Sequence, residues 1–193
     1  MYRCAGPNRK KRDFVRYLTS EDLRSSIRNV NDFPKKGIVF RDITTLLKDK
    51  DALHFVVDSF VEHYRNTPID AVVGIESRGF IIGAAIAHQL GVGFIPIRKP
   101  GKLPAATLRE EYALEYGHDA IEIHTDSLRK GDRVLIHDDL LATGGTIAAA
   151  CALVERLGAT IAGVSFIIEL SFLHGREKLP GYHITSLVQY DSE

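Results

Sequence analysis

Residues 134–146 read VLIHDDLLATGGT, and residues 147–158 continue as IAAACALVERLG. An apolar run ends in two adjacent acids, turns through a short loop of small residues, and enters a segment of helical character. Such a loop offers successive backbone N–H groups at a helix N-terminus, from Ala142 onward, together with the hydroxyls of Thr143 and Thr146, and that combination attracts a phosphate. Gly144 and Gly145 let the chain approach closely because they carry no Cβ. Asp138 and Asp139 would repel the same phosphate if they faced it, so they must face another part of the ligand. Ribose hydroxyls, which donate to carboxylates, are the natural recipients. The string lacks the Gly-Lys-Ser/Thr of nucleoside triphosphatase loops and the G-x-G-x-x-G dinucleotide fingerprint. The ligand it implies is a sugar phosphate. An isolated acid pair before a turn is common in α/β proteins; the whole thirteen-residue string carries the reading.

The segments around this string repeat its style. Residues 69–75 (IDAVVGI), 93–98 (GFIPIR) and 133–137 (RVLIH) are short, apolar and rich in β-branched residues, which suits strands covered on both faces. Between and after them lie helical segments at 79–90 and 145–157, with a final long strand at 160–170. Residues 51–65 place Leu53, Val56, Val57, Phe60, Val61 and Tyr64 at helical spacing. Residues 19–30 read as a further helix, capped by Thr19 or Ser20 and closed before Pro34, because a residue preceding proline avoids the helical region. Alternation at this spacing predicts an α/β fold with a central, mainly parallel sheet flanked by helices. Residues 99–117 (KPGKLPAATLREEYALEYG) are polar and long for a mere connection, so they read as a mobile active-site flap.

Composition narrows the function classes. The 193 residues, 45% of them hydrophobic, suit one domain over 19–193, preceded by a basic extension at 1–18. Lys plus Arg equals Asp plus Glu at 25 each, so no overall field favours nucleic acid or an anionic membrane. Arg9–Arg12 (RKKR) is weighed as a nucleic-acid patch against a solvated tail, and charge runs usually belong to tails. Residues 79–97 contain no charged side chain, yet Gly91, Gly93 and Pro96 interrupt them, which excludes a membrane span. No apolar stretch follows the early basic residues, so no secretory signal is expected. Two cysteines, Cys4 and Cys151, are too few for a disulfide framework, and a cytoplasmic home is expected. The eight histidines show no paired-ligand spacing, so no protein metal cage is expected. His137 stands immediately before Asp138, where it could tune that acid or simply be a satisfied buried histidine.

At this point the chain resembles the type I phosphoribosyltransferases, whose signature is an apolar strand, two acids and a small-residue phosphate loop; DDLLATGGT looks like the adenine-specific branch. Residues 33–42 (FPKKGIVFRD), 74–80 (GIESRGF), 97–104 (IRKPGKLP) with 112–117 (YALEYG), and 175–179 (GREKL) carry the same resemblance, so it covers the chain from about Asn29 onward. An apolar residue usually stands where this chain has His137, and the basic extension is a second departure.

The resemblance implies a small hood, near residues 30–45 and 165–190, and a flexible flap. It assigns the ribose 5-phosphate to Asp138, Asp139, Ala142, Thr143, Gly144, Gly145 and Thr146. It assigns pyrophosphate to the turn Glu76–Ser77–Arg78, with a cis bond between Glu76 and Ser77, and Arg78, Lys99, Arg98 and Lys102 would balance the leaving diphosphate. Lys102 reads equally well as an exposed flap lysine. Arg78 and Glu115 are the expected catalytic residues, Glu115 as the base that takes the adenine proton; Glu110 and Glu111 are its rivals. The backbone of Val39 and the side chain of Arg41 would read the adenine edge, with Phe40 and Leu170 in apolar contact or simply core. Mg²⁺ is expected through the substrate's phosphates, and a homodimer by resemblance. The implied partners are adenine, phosphoribosyl pyrophosphate, AMP and pyrophosphate. A hypoxanthine-guanine or xanthine transferase would share the phosphate loop, but FPKKGIVFRD and LEYG argue against it. A purine-sensing regulator would need a DNA-binding module, for which residues before Thr19 are too few.

Overall fold

The computed structural model describes residues 19–113 and 118–193. Five parallel strands form the central sheet: β3 (Ala71–Ile75), β4 (Gly93–Ile97), β7 (Arg133–Leu141), β8 (Thr160–Leu170) and β9 (Ile184–Tyr190), in the spatial order β4-β3-β7-β8-β9. The apolar runs form strands because both faces are covered. On β3 and β7, Val72 and Leu135 point to one face, while Val73, Val134 and Ile136 point to the other. The first face is packed by α3 (Lys50–Tyr64) and α4 (Gly79–Leu90), the second by α5 (Gly145–Arg156).

The order of the strands places the site. From β3 the chain moves outward to β4 through α4; from β7 it moves the opposite way to β8 through α5. Crossovers of one handedness that travel in opposite directions must put their helices on opposite faces, which leaves a crevice between the C-terminal ends of β3 and β7. The turns that follow those two strands carry Glu76–Ser77–Arg78 and residues 142–144.

Two smaller sheets border the crevice. One pairs β1 (Arg28–Asn31) with β2 (Val39–Asp42), antiparallel. The other is a hairpin of β5 (Thr107–Ala113) and β6 (His118–His124). Three expectations are corrected here. The helix expected over 19–30 is α1 (Ser20–Ser26), opened by a capping box between Thr19 and Asp22, and Arg28–Asn31 is a strand instead. Asn29, Val30 and Asn31 are poor helix formers, and pairing with β2 decides the matter, helped by Arg28, whose Nε donates to Asp42 at 3.0 Å. The polar stretch at 99–117 is not a plain loop, since residues 107–113 form one arm of the hairpin. The strand expected to stop at His137 continues to Leu141, so both acids lie within it, held by pairing with β8.

Asp49 caps α3 by accepting from the backbone N–H groups of Asp51 and Ala52. The helix α2 (Thr44–Lys48) and α1 close the sheet's first face, which is centred on Phe60 and Tyr64. Phe60 is wholly buried, and its ring meets the His137 ring edge-on at 5.2 Å, directly beneath the crevice. Phe60→Ala is expected to cost about 3–5 kcal/mol, because the surrounding sheet and helices cannot collapse into the space. Urea unfolding checks this as a lower midpoint at unchanged slope.

Candidate active site

Three pieces of chain converge on a cleft of about 440 Å³. The turn after β3 contributes Glu76, Ser77 and Arg78; the end of β7 contributes Asp138 and Asp139; Lys99, beyond β4, stands opposite. A smaller hollow of about 80 Å³ adjoins it, formed by residues 140–147 with Asp138.

The hollow has the chemistry of an anion cradle. Among the described residues no side chain caps α5: its N-cap is Gly144, at φ 79°, and no side-chain cap hydrogen bond closes its first turn. The N–H groups there remain available to a ligand, with the positive end of the helix dipole behind them.

The two acids sit in an uncomfortable place. Asp139 is 5% exposed, and its Oδ2 lies 2.8 Å from Arg78 Nε. Asp138 accepts the backbone N–H of Asp139 at 2.9 Å. Burial pushes both carboxyls above the usual range, and the neighbouring charge of Asp139 pushes Asp138 further, while Arg78 works against the rise. A cationic partner entering the cleft would favour their ionised forms.

Arg78 joins the cleft to the hood. Besides Asp139, it reaches the backbone carbonyl of Arg41 at 3.5 Å, and its guanidinium stands 4.9 Å above the Phe40 ring. Glu76 has a different task from the one the sequence suggests. Its Oε2 accepts from Arg98 Nε at 2.9 Å and from the backbone N–H of Lys99 at 3.0 Å, so it braces the exit of β4. The Glu76–Ser77 peptide is cis, as is Phe33–Pro34.

Arg98 and Lys102 do not line the cleft. Arg98 is turned to Glu76 and to the carbonyl of Lys102, and Lys102 is exposed. Nor do Val39, Phe40, Arg41 and Leu170 line it. The first three follow one another on β2, and Leu170 ends β8 opposite Tyr190. Arg41 is buried, donating to Asn29 Oδ1 at 2.7 Å and stacking 4.0 Å from the Tyr190 ring, whose ring also carries Arg24 at 4.6 Å. Glu115 lies outside the described residues, as does the 1–18 extension.

Two cleft residues escaped the sequence reading. Asp119, on β6, pairs with Lys99 and accepts from the Tyr112 hydroxyl at 3.3 Å, and Tyr112 lies across from it on β5. The alternation in HDAIEIH, residues 118–124, is the signal that could have found that strand. His137 is buried; its Nδ1 lies 2.9 Å from Ser165 Oγ, and its Nε2 has no partner among the described residues. Burial pulls its pKa down to about 3, so the ring is neutral. Among the described residues no group of three or more His, Cys, Asp and Glu is arranged to hold a metal ion, and no helix is long and apolar enough to cross a membrane.

Residues 44–186 match the family model of the phosphoribosyl transferase domain. Over 169 residues the chain is 61% identical to the adenine phosphoribosyltransferase of Acaryochloris marina, covering 88% of this chain and 99% of that one. The chain belongs to the adenine phosphoribosyltransferase family. Among solved structures, the adenine phosphoribosyltransferase of Thermoanaerobacter pseudethanolicus superposes with a TM-score of 0.87 at 51% identity, covering 89% of this chain and all (100%) of that one. That of Saccharomyces cerevisiae, complexed with an imino-altritol bisphosphate and adenine, superposes with a TM-score of 0.83 at 39% identity, over 88% and 98% of the two chains. Membership of the adenine phosphoribosyltransferases makes this a pentosyl-transferring enzyme of purine salvage.

The neutral His137 gives a pH test. In the unfolded chain this histidine regains its ordinary value of 6.5, so the folded state is the one that binds fewer protons. Its contribution to stability is therefore full above pH 6.5 and is lost as pH falls toward 3. The raised Asp138 and Asp139 act in the opposite sense, but they are common to wild type and His137→Leu. The variant's unfolding free energy should therefore fall less steeply below pH 6.5, by up to ~1.4 kcal/mol per pH unit. Urea unfolding at pH 7, 6 and 5 measures the difference; parallel curves would show a histidine that protonates without penalty.

Proposed function

We propose that this chain joins adenine to the ribose 5-phosphate of phosphoribosyl pyrophosphate, forming AMP and releasing pyrophosphate. The observation that carries the reading is the β7–α5 junction: two adjacent carboxylates, Asp139 buried and Asp138 half-buried, directly before a helix N-terminus uncapped among the described residues, with Arg78 across the cleft. The 5-phosphate would sit on the N–H groups and hydroxyls of residues 142–146, and the ribose hydroxyls would donate to Asp138 and Asp139. Asp139 Oδ2 accepts no aligned hydrogen bond among the described residues, which leaves it open to such a donor. Ser77, Arg78 and Lys99 would receive the diphosphate, and Glu76 and Arg98 would support that side through their mutual contact.

When the bond to pyrophosphate breaks, positive charge develops on the ribose carbon, as in glycoside chemistry. Ionised Asp138 and Asp139 stabilise that charge, and Arg78 stabilises the departing oxygens. Adenine attacks through N9 and must lose a proton; Glu115, which lies outside the described residues, is proposed to take it. The base would lie under β2 and Leu170, with Phe40 against its face and the Val39 backbone at its edge. Arg41 would support that wall through its bond to Asn29 and its stacking on Tyr190. The hard oxygen donors Asp138 and Asp139 fit Mg²⁺ carried in by the substrate, where it would neutralise the diphosphate. We further propose a cytoplasmic homodimer; the described residues do not include the extension at 1–18.

A purine panel with phosphoribosyl pyrophosphate and Mg²⁺, read by AMP, GMP, IMP and XMP formation, tests the proposal. AMP alone is expected, with kcat lowered about a hundredfold or more in Glu115→Ala, the usual scale for loss of a general base. A 6-oxo product would overturn the base assignment, and binding of substrates without turnover would replace the enzyme with a sensor.

A further inference from the structure

One cluster of charged side chains lies outside the cleft and has no part in the chemistry above. Glu169, on β8, is 3% exposed, although nothing in the proposed reaction uses it. Arg176 grips it with a fork: Nε donates to Oε1, and Nη2 donates to Oε2 at 2.8 Å. Ser186 Oγ donates to Oε2 at 2.6 Å, and Gln189 Nε2 does so at 3.2 Å. Burial alone would raise the carboxyl's pKa, but the bonds from Arg176 and Ser186 outweigh it and hold the group below the usual range. An exposed Arg–Glu pair contributes little to stability, whereas a buried carboxylate left without its cation is costly, so this fork fixes geometry firmly.

What it fixes is the short turn Gly175–Lys178. Gly175 is pressed against the phosphate loop, backbone on backbone. A Cβ built on Gly175 would come within 2.2 Å of the Ala142 carbonyl oxygen, and one on Gly144 within 2.4 Å of the Gly175 carbonyl oxygen. Neither position admits a side chain, and neither segment can shift without moving the other. Arg176 directly follows Gly175, and Glu169 directly precedes Leu170. The fork thus ties the hood strand to the wall behind the loop.

We propose that Arg176 and Glu169 are positioning residues for phosphoribosyl pyrophosphate: acting through Gly175, they hold loop 142–145 at the spacing its 5-phosphate requires. This rests on reading that loop as the phosphate cradle. The N–H groups of a cradle bind strongly only when held at fixed distance and angle, so a small displacement carries a large loss.

The test is ribose 5-phosphate binding by calorimetry, with steady-state kinetics, on Arg176→Gln, Arg176→Lys, Gly175→Ala and the loop variant Thr146→Ala, each checked for a cooperative melt. Arg176→Gln is expected to weaken ribose 5-phosphate about tenfold and to raise KM for phosphoribosyl pyrophosphate equally, with KM for adenine near wild type. Arg176→Lys should retain most of the defect, because an ammonium cannot form the fork. Gly175→Ala, which leaves the fork intact and pushes on the loop directly, should give the same loss. If Thr146→Ala weakens ribose 5-phosphate while the Arg176 and Gly175 variants bind as wild type, the positioning role is wrong and the cradle stands. If none of the four changes binding, the cradle reading itself fails. An equal rise in both KM values would point to general disturbance of the hood and would also overturn the proposal.

Discussion

The constraint on which the rest of the molecule depends is the junction of β7 and α5, where a buried carboxylate, Asp139, and a half-buried one, Asp138, stand beside a helix end that no side chain closes among the described residues. Burying an ionised carboxylate is expensive unless it is paired, and here a single guanidinium, Arg78, serves both acids at once. The uncapped α5 terminus gives up the roughly 1 kcal/mol that a Ser or Asp cap contributes. These are costs that a purely structural junction would avoid. They are met by the apolar packing beneath: β7 is flanked on both sides by parallel strands, and the side chains under the acids, from Leu135 and Ile136 to Phe60, are wholly buried. The sheet is what lets the site be unstable in isolation and still keep its shape.

The hood is fastened by charge and stacking as well as by the aliphatic packing of Leu23, Ile27, Ile43 and Leu46. Tyr190, on the last strand, is stacked by the guanidinium groups of Arg24 and Arg41, while Arg28 holds Asp42 from the neighbouring strand. Asp42 is also bound by the backbone and hydroxyl of Thr44, and the bond from Arg28 foremost, with those from Thr44, brings its pKa down to about 2. A small two-stranded sheet has little stability by itself, so such ties to α1 and β9 are what set its angle over the cleft. Because Arg78 touches both Asp139 and the Arg41 carbonyl, the hood and the acids share one side chain.

Much of this was legible in the sequence where one local rule decided the outcome. The strands at 71–75 and 160–170 and the helix Gly79–Leu90 follow from apolar runs, β-branching and the Gly91 stop, and the β7–α5 junction from its acids and glycines. The reading failed where partners far along the chain decide. Arg28–Asn31 is a strand only because Val39–Asp42 lies beside it, and residues 107–113 extend only because 118–124 return. The same holds for side chains. A pattern of residue types brings Glu76, Arg98 and Lys99 near one another, but it cannot reveal that the carboxylate accepts from the Arg98 guanidinium and the Lys99 backbone N–H, nor that Arg41 turns to Tyr190. Asp119 could not be ranked as a cleft residue until the register of the hairpin put it beside Lys99.

The two ends of the cleft therefore differ in how they meet an anion. At the proposed phosphate end the donors would be backbone N–H groups, fixed in the chain and without a side-chain cap among the described residues. At the proposed diphosphate end the cations already have acidic partners: Lys99 is held by Asp119, whose bond raises the ammonium's pKa, and Arg78 is paired with Asp139. A diphosphate there would compete with those carboxylates for the same cations. Those carboxylates would lessen the net attraction of each cation for a diphosphate. An arrangement that binds one end of the substrate firmly and the leaving group loosely favours departure of that group, since uniform tight binding would lower KM without speeding the chemical step. Asp119 is partly exposed and lines the cleft, so its pair with Lys99 is within reach of a competing anion.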